Sequence, residues 1–372
     1  MKRMLCLLAA LLTLTQGAAA VDTAAIGTAA VSAKAYIVVD TLTGRVLAEK
    51  NADESRRMAS LTKIAAAMTA LELLDPDGTV TASEAAASVE GSRMGLRAGE
   101  TVTVRTLLYG LLLESGNDAA LALAEAAGYD RFMDAMNALA DRLGMADTHF
   151  DNPHGLDGDT HWSTARDLSV LAAAAMEDER IRAVTAAREY RAEGYSLHNH
   201  NKLLWSLSGC EGVKTGFTKA AGRCLISSVQ RGGRRVIAVT LDAPDDWNDH
   251  RTLIEAAFAG TEDRVWLREG EIAAVLRVES GIRSRIAVRA AGTLAMRLAD
   301  TEAARAEVKL YLPAFVYAPL EAGERAGRAE LRLDGRVIAS VPLVYETDLA
   351  RKQPSAKGLS RIRAVLRRWL GR

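Results

Sequence analysis

The pattern that most limits the fold is a set of strand-like segments that opens and closes a long helical stretch. Residues 35–49 alternate like a β-hairpin around a turn at residues 40–44, and residues 210–243 predict three more strands. Helical periodicity occupies most of the sequence between these segments and follows the last strand. Its stretches begin after residue 60 and continue over residues 104–113, 118–127, 130–143, 166–187 and 250–259. Helices that interrupt an antiparallel set of strands predict an α+β architecture.

The sequence changes character near residue 275. Short alternating runs follow, separated by turn signals such as Asp334-Gly335, and they predict a small all-β sandwich. We therefore expect four segments along the chain. These are a signal peptide at residues 1–20, an α+β domain at 21–272, a β-sandwich domain at 273–348, and a linker with a C-terminal helix at 349–372.

The N-terminus has the pattern of an export signal. Lys2 and Arg3 precede an apolar run, and small residues follow it up to Ala20. The run is too short for a permanent transmembrane helix. We expect cleavage after Ala20 and an exported mature protein.

Two cysteines, Cys210 and Cys224, remain once the signal peptide is removed. An even pair in an oxidising compartment is a candidate disulfide. The alternative is two buried free thiols, and the sequence does not decide between them because it does not give the Cα separation.

The C-terminal tail combines positive charge with an apolar stripe. Residues 351–372 contain eight Lys and Arg residues and no acidic residue. The apolar residues that share one helical face are Leu359, Ile362, Val365, Leu366, Trp369 and Leu370. A basic amphipathic helix of this kind suits an anionic bilayer surface, with a hinge expected at Pro354 and Gly358. We expect peripheral attachment to the outer face of the cytoplasmic membrane, on the periplasmic or extracellular side.

The whole chain is electrically balanced, with 47 basic and 47 acidic side chains. This balance disfavours a nucleic-acid-binding protein, so no nucleic-acid partner is expected.

Ser60 and Lys63 stand where a loop becomes a helix. Their spacing places both side chains on one helical face, within reach of each other. A serine hydroxyl needs an adjacent base to become a nucleophile, and a lysine can serve once its pKa is lowered by burial or by a neighbouring cation. Taken alone, this pair also fits an ordinary capped helix with a solvated lysine.

Two further segments strengthen the case for catalysis. Ser115 and Asn117 lie between two predicted helices, where a hydroxyl and an amide can relay a proton and hold a substrate carbonyl. Lys214, Thr215 and Gly216 lie on a predicted strand, where the first two can hold a carboxylate and the glycine leaves room for a ligand's backbone. The three segments occur in the order and approximate spacing found in penicillin-recognising serine acyl-transferases.

The sequence around these segments resembles the low-molecular-mass penicillin-binding proteins that act as D-alanyl-D-alanine carboxypeptidases. The similarity spans about residues 30–260 and extends to the β domain and the tail. It is carried by residues 58–63, 113–120, 152–156 and 212–218. The resemblance implies a penicillin-binding/β-lactamase-like transpeptidase fold, in which an antiparallel sheet packs with a helical cluster in residues 21–272.

The resemblance also implies roles for the residues that match. Ser60 is the acylated nucleophile and Lys63 its general base, while Ser115 and Asn117 act in proton relay and substrate positioning.

The strand segment is implied to bind the substrate. Lys214 and Thr215 hold its terminal carboxylate, Gly216 allows close approach, and the N–H of Phe217 completes an oxyanion hole with the N–H of the nucleophile. Relatives often add an arginine beyond this strand, and Arg251 is the candidate here.

The implied reaction is acyl transfer on a peptidoglycan stem pentapeptide. The serine attacks the carbonyl between the two terminal D-alanines, the last D-alanine leaves, and water hydrolyses the acyl-enzyme. A β-lactam is expected to acylate the same serine. We expect no metal and no cofactor.

Three alternative functions compete with this interpretation. A class A-like β-lactamase would carry a deacylating glutamate, but residues 149–162 contain none. A zinc peptidase could use His198 and His200 with His154 or Asp157, although no ligand spacing marks a third ligand. A non-catalytic wall-binding protein could keep the fold without the base.

Overall fold

The computed structural model describes residues 31–353 and 356–370, with side chains for 31–353 and 363–370. The expected signal peptide at 1–20 and Pro354 of the expected hinge lie outside the described residues. The chain divides into two compact units, Met1–Ala259 and Gly260–Arg372. This division lies earlier than the boundary expected at residue 272, because the strand Thr261–Leu267 pairs with Leu294–Ala299 inside the second unit.

The first unit is built on a five-stranded antiparallel sheet. The strands of this unit are β1 (Ala35–Asp40), β2 (Arg45–Lys50), β3 (Thr79–Thr81), β4 (Thr101–Thr103), β5 (Glu189–Ala192), β6 (Tyr195–His198), β7 (Cys210–Thr218), β8 (Gly222–Arg231) and β9 (Arg234–Leu241). The large sheet has the order β2-β1-β9-β8-β7, so β7 forms one of its edges. The short pairs β3–β4 and β5–β6 form two separate two-stranded sheets, which the sequence patterns did not predict.

Helices complete the first unit. They are α1 (Lys63–Leu73), α2 (Glu84–Ser88), α3 (Val104–Leu113), α4 (Asn117–Ala126), α5 (Tyr129–Leu143), α6 (Ala165–Ala175), α7 (Glu179–Ala186), α8 (Leu203–Ser206) and α9 (Asp246–Phe258). The structure has two helices, α6 and α7, where the sequence predicts a single helix over 166–187. The second helix begins after Asp178, whose side chain caps it by accepting a hydrogen bond from the N–H of Arg180. The α+β prediction is confirmed.

Side-chain alternation along β1 shows how the sheet separates two cores. Ile37 and Val39 pack with the helical cluster that contains α1, whereas Tyr36 and Val38 pack with α9 on the other face. All six residues of β1 are buried, so this strand contributes apolar side chains to both cores. Burial of each large aliphatic side chain contributes about 1.5–3 kcal/mol.

The second unit contains two β-sheets. Its strands are β10 (Thr261–Leu267), β11 (Ile272–Glu279), β12 (Arg285–Ala290), β13 (Leu294–Ala299), β14 (Ala306–Tyr311), β15 (Phe315–Tyr317), β16 (Arg325–Leu333) and β17 (Arg336–Tyr345), with the short helix α10 (Asp300–Ala303). Six strands form a sheet in the order β14-β16-β17-β12-β11-β15, and β10 pairs with β13. Alternate residues of β12 and β13 are buried, as expected for a small sandwich.

The chain ends in the helix α11 (Ala356–Trp369). Gly358 lies inside this helix rather than in a hinge before it, which corrects that part of the sequence interpretation. The side chains of Val365, Leu366, Trp369 and Leu370 are exposed. Among the helices described here, none is both long enough and apolar enough to cross a membrane.

Candidate active site

Ser60 lies in a tight turn that leads directly into α1. Residues Ala59–Thr62 form one turn of 3₁₀ helix, and Lys63 is the first residue of α1. This local geometry brings the two side chains into the contact that the sequence predicts. The Nζ atom of Lys63 donates a hydrogen bond to Oγ of Ser60 over 2.9 Å. The lysine side chain is completely buried, so the pair is shielded from bulk water on the lysine side.

The Lys63 amine has two further acceptors. It donates to Oδ1 of Asn117 over 2.7 Å and to the backbone carbonyl of His154. Burial lowers the pKa of Lys63 well below its ordinary value, and the nearby charge of Lys214 lowers it further, although Asp118 acts in the opposite direction. A lysine with a strongly lowered pKa is a neutral amine over more of the pH range, so it can accept the proton of a serine hydroxyl.

A second hydroxyl–lysine pair faces the first from the edge of the sheet. Lys214, on β7, donates to Oγ of Ser115 over 3.0 Å and to the carbonyl of Thr215 over 2.8 Å. Burial lowers the pKa of Lys214 to about 7. Ser115 lies in the turn between α3 and α4 with a φ of 59°, a conformation that most residues avoid.

The residues after Ser115 fix this turn in place. The side chain of Asn117 accepts from Lys63 and donates through Nδ2 to the carbonyl of Glu90 over 2.6 Å. Asp118 is fully buried and accepts hydrogen bonds from the N–H groups of Met94, Gly95 and Leu96. Nothing in the sequence spacing of Asp118 predicts these loop contacts.

The edge strand β7 passes very close to Ser60. An added Cβ at Gly216 would lie 3.2 Å from the nitrogen of Ser60 and 3.2 Å from the carbonyl oxygen of Met58. Any side chain at this position would press on the turn that holds Ser60, so glycine is what permits the close approach. Phe217 follows and is 65% exposed.

The loop rich in His, Asp, Gly and Pro forms the wall behind Ser60. The side chain of Asn152 accepts from the N–H of Gly155 and donates to the carbonyl of Leu156, which closes the loop on itself. Gly155 has a φ of 90°, and a Cβ there would lie 2.1 Å from the carbonyl oxygen of Ala59. The structure therefore brings together Ser60, Lys63, Ser115, Asn117, Lys214, Thr215, Gly216 and Phe217.

Arg251 is separated from this cluster. It lies on α9, whose buried stripe of Asp246, Asp249 and His250 faces the sheet, whereas Arg251 points to solvent. Its charge acts on Glu255 one turn later. Because Arg251 lies off the buried stripe, the helical period directs its side chain away from the sheet.

A different arginine, Arg223, lies beside β7. It is the cross-strand partner of Phe217, and alternation places its side chain on the sheet face shared by Thr215 and Phe217. Its Nε donates to the buried carboxylate of Asp246 over 3.0 Å, while the side chain stays 43% exposed. Only the strand register reveals this residue, which the sequence patterns did not predict.

Cys210 and Cys224 are free thiols, which corrects the disulfide alternative. Cys210 is opposite Val229, whereas Cys224 is opposite Gly216, so the strand register separates them by six positions along β7. At ordinary strand rise that is about 20 Å, far beyond the Cα separation that a disulfide spans. Burial raises the pKa of Cys210 to about 11 and that of Cys224 to about 12.

The histidines named for a zinc site serve other contacts. The backbone N–H of His198 and the ring of His200 both bond to the carboxylate of Glu114. The carbonyl of His154 accepts from Lys63, and Asp157 accepts from the hydroxyl of Thr218. Within residues 31–353 and 356–370, no group of three or more His, Cys, Asp or Glu side chains is arranged to hold a metal ion.

The group that contacts Oγ of Ser60 is a buried amine rather than an imidazole. Together with the edge strand and the second hydroxyl–lysine pair, this defines a serine acyl-transferase of the penicillin-recognising class.

The chain belongs to the D-alanyl-D-alanine carboxypeptidase family, whose pattern matches residues 21–245. It is 32% identical over 337 residues to the D-alanyl-D-alanine carboxypeptidase DacF of Bacillus subtilis, covering 86% of each chain. It is 33% identical over 334 residues to DacC of Escherichia coli, covering 84% of this chain and 83% of that one. The resemblance drawn from the motifs is confirmed.

Solved structures agree with the sequence relatives. The fold is similar to that of penicillin binding protein 5 from Haemophilus influenzae, with a TM-score of 0.62 and 27% identity. The match covers 87% of this chain and 99% of that one. The expected transpeptidase-type fold is confirmed by this similarity.

Proposed function

We propose that this serine-type D-Ala-D-Ala carboxypeptidase removes the terminal D-alanine of peptidoglycan stem pentapeptides with Ser60 as its nucleophile. The observation that carries the proposal is the buried Lys63 amine, 2.9 Å from Oγ of Ser60 and with a lowered pKa. The amine takes the hydroxyl proton as Oγ attacks the carbonyl between the two D-alanines. The peptide bond breaks, the last D-alanine leaves with a proton, and water hydrolyses the resulting ester.

The surrounding groups divide the remaining tasks. Asn117 orients the Lys63 amine, and its own amide is held by a backbone carbonyl. Ser115, bonded to Lys214, carries a proton towards the departing amine. The N–H groups of Ser60 and Phe217 stabilise the oxyanion, since donors fixed in advance of the reaction stabilise a transition state most effectively.

A β-lactam mimics the D-Ala-D-Ala unit and acylates the same hydroxyl. We expect intact-mass measurement to show one covalent adduct after incubation with benzylpenicillin, and peptide mapping to locate it on Ser60. An adduct on another serine, or none at all, would contradict the proposed nucleophile.

Arg223 is proposed to help Lys214 and Thr215 bind the substrate's terminal carboxylate. Its side chain shares a sheet face with Thr215, and the buried Asp246 holds it through Nε. The two remaining nitrogens suit a carboxylate, because guanidinium and carboxylate groups form paired hydrogen bonds. Because burial lowers the pKa of Lys214 to about 7, that lysine is not a full positive charge at neutral pH, and a permanent cation nearby compensates.

Arg223→Ala is expected to lower kcat/KM on a pentapeptide roughly 10- to 100-fold, the loss expected for a hydrogen bond to a charged group. Arg251→Ala is the matched control and should leave kcat/KM unchanged. A substrate whose terminal carboxylate is amidated should be hydrolysed equally by wild type and Arg223→Ala. Equal losses on both substrates would show that Arg223 acts only on the fold.

Export and membrane attachment are also proposed. The pattern of residues 1–20 supports export. The exposed Val365, Leu366, Trp369 and Leu370, next to Arg367 and Arg368, support binding of α11 to an anionic bilayer.

Truncation after Ala350 is expected to release the protein from anionic vesicles, because it removes the eight Lys and Arg residues of the tail. Each Lys or Arg near such a surface contributes about 1 kcal/mol at most to the free energy of binding. Co-sedimentation of the mature protein and the truncated protein measures this, with neutral vesicles as the control. Equal sedimentation of both proteins with anionic vesicles would contradict the role of the helix.

A further inference from the structure

A chain of buried hydrogen bonds ends at the peptide that precedes Ser60. The N–H of Asp151 donates to Nδ1 of His161 over 3.0 Å, and Nε2 of His161 lies 2.7 Å from Oγ1 of Thr62. The Thr62 hydroxyl donates to the carbonyl oxygen of Ala59 over 2.9 Å. His161 is 2% exposed and Thr62 fully buried, and neither takes part in the proposed proton transfers.

The direction of every bond in this chain is fixed by its first donor. A backbone N–H can only donate, so Nδ1 of His161 accepts and the neutral ring carries its proton on Nε2. That nitrogen therefore donates to Thr62, whose own hydroxyl proton is left for Ala59. Burial lowers the pKa of His161 to about 4, although Asp151 and Asp157 act in the opposite direction, so the ring is neutral at neutral pH.

The acceptor at the end of the chain belongs to the same peptide unit as the N–H of Ser60. In a trans peptide the C=O and the N–H point in opposite directions, so holding the oxygen of Ala59 sets the direction of the Ser60 N–H. Ala59 has a φ of 49°, which an alanine rarely adopts without support. Gly155 and Gly216 pack directly against this peptide but offer no side-chain hydrogen bond to orient it.

We infer that His161 is a positioning residue that acts through Thr62 to aim the Ser60 N–H at the developing oxyanion. The inference rests on the proposed role of Ser60. It assigns Thr62 a function apart from helix formation, and it gives the loop at 149–162 a task that its composition does not suggest.

The test compares acylation by benzylpenicillin in Thr62 and His161 variants under conditions where each is folded. Thr62→Val keeps the side-chain shape but removes the hydroxyl, and should lower the acylation rate constant about 100-fold, the effect of a misdirected oxyanion donor. The penicillin concentration for half-maximal rate should change little. Thr62→Ser keeps the hydroxyl and should recover most of the rate.

The chain supplies a matched control in Thr69. It lies on α1, is fully buried, and its hydroxyl has no hydrogen-bond partner among the residues that the structure describes. Thr69→Val should therefore be acylated at the wild-type rate. His161→Leu should slow acylation like Thr62→Val, and the double variant should lose no more than the worse single variant, because both act through one link.

The inference would be overturned if benzylpenicillin acylated Thr62→Val at the wild-type rate. It would also be overturned if the losses in acylation rate of the two single variants multiplied in the double variant. The Thr62 variants decide the question even if His161→Leu does not fold. A wild-type protein that forms no penicillin adduct would overturn the proposed function together with this inference. Labelling of the wild type with an unaffected Thr62→Val would overturn the inference alone.

Discussion

Ser60→Ala is expected to reduce pentapeptide hydrolysis to background, a loss on the order of a million-fold by analogy with other serine nucleophiles. The acyl-enzyme cannot form without the hydroxyl, and no other hydroxyl is in contact with the Lys63 amine among the described residues. The measurement is the rate of free D-alanine release. Benzylpenicillin adducts should also disappear from the intact-mass spectrum.

Ser55→Ala is the control for this variant. Ser55 is an exposed serine shortly before the same turn, so its replacement should leave both D-alanine release and labelling unchanged. If Ser60→Ala kept measurable D-alanine release, another nucleophile would have to be sought.

Lys63→Gln is expected to slow acylation by about 10²- to 10⁴-fold, the range for loss of a general base. The amide cannot accept the hydroxyl proton, although it can still form hydrogen bonds with Ser60 and Asn117. Lys63→Arg should be slowed as well, because arginine keeps the charge but does not lose a proton in proteins. The rate of penicillin adduct formation measures both.

Lys202→Gln provides the matched control, since Lys202 is exposed and should not affect acylation. Rapid acylation of Lys63→Arg would mean that the lysine contributes charge rather than a base. Rapid acylation of Lys63→Gln would remove Lys63 from the mechanism.

Local spacing made part of this site predictable. Ser60 and Lys63 are three positions apart at a helix start, so helix geometry alone brings them together. The strand nature of Lys214 and Thr215 follows from alternation, and the structure has them on β7. Local sequence spacing does not predict the 2.7 Å contact between Lys63 and Asn117, because these two residues are distant in the sequence. For that step the resemblance to a known family was needed.

The parts that the sequence did not predict depend on tertiary register. Arg223 becomes a neighbour of Phe217 only through the pairing of β7 with β8, and the position of Arg251 on α9 directs its side chain away from the sheet. Asp118 and His161 act on loop backbones whose path no periodicity encodes. The cysteines, too, are separated by register rather than by sequence distance.

The most direct test of the central claim is mass spectrometry of a stem pentapeptide incubated with the purified protein. The account predicts loss of a single alanine residue from the C-terminus, complete in wild type and absent in Ser60→Ala. A wild-type protein that leaves the pentapeptide intact, or cuts it at another bond, would contradict the account.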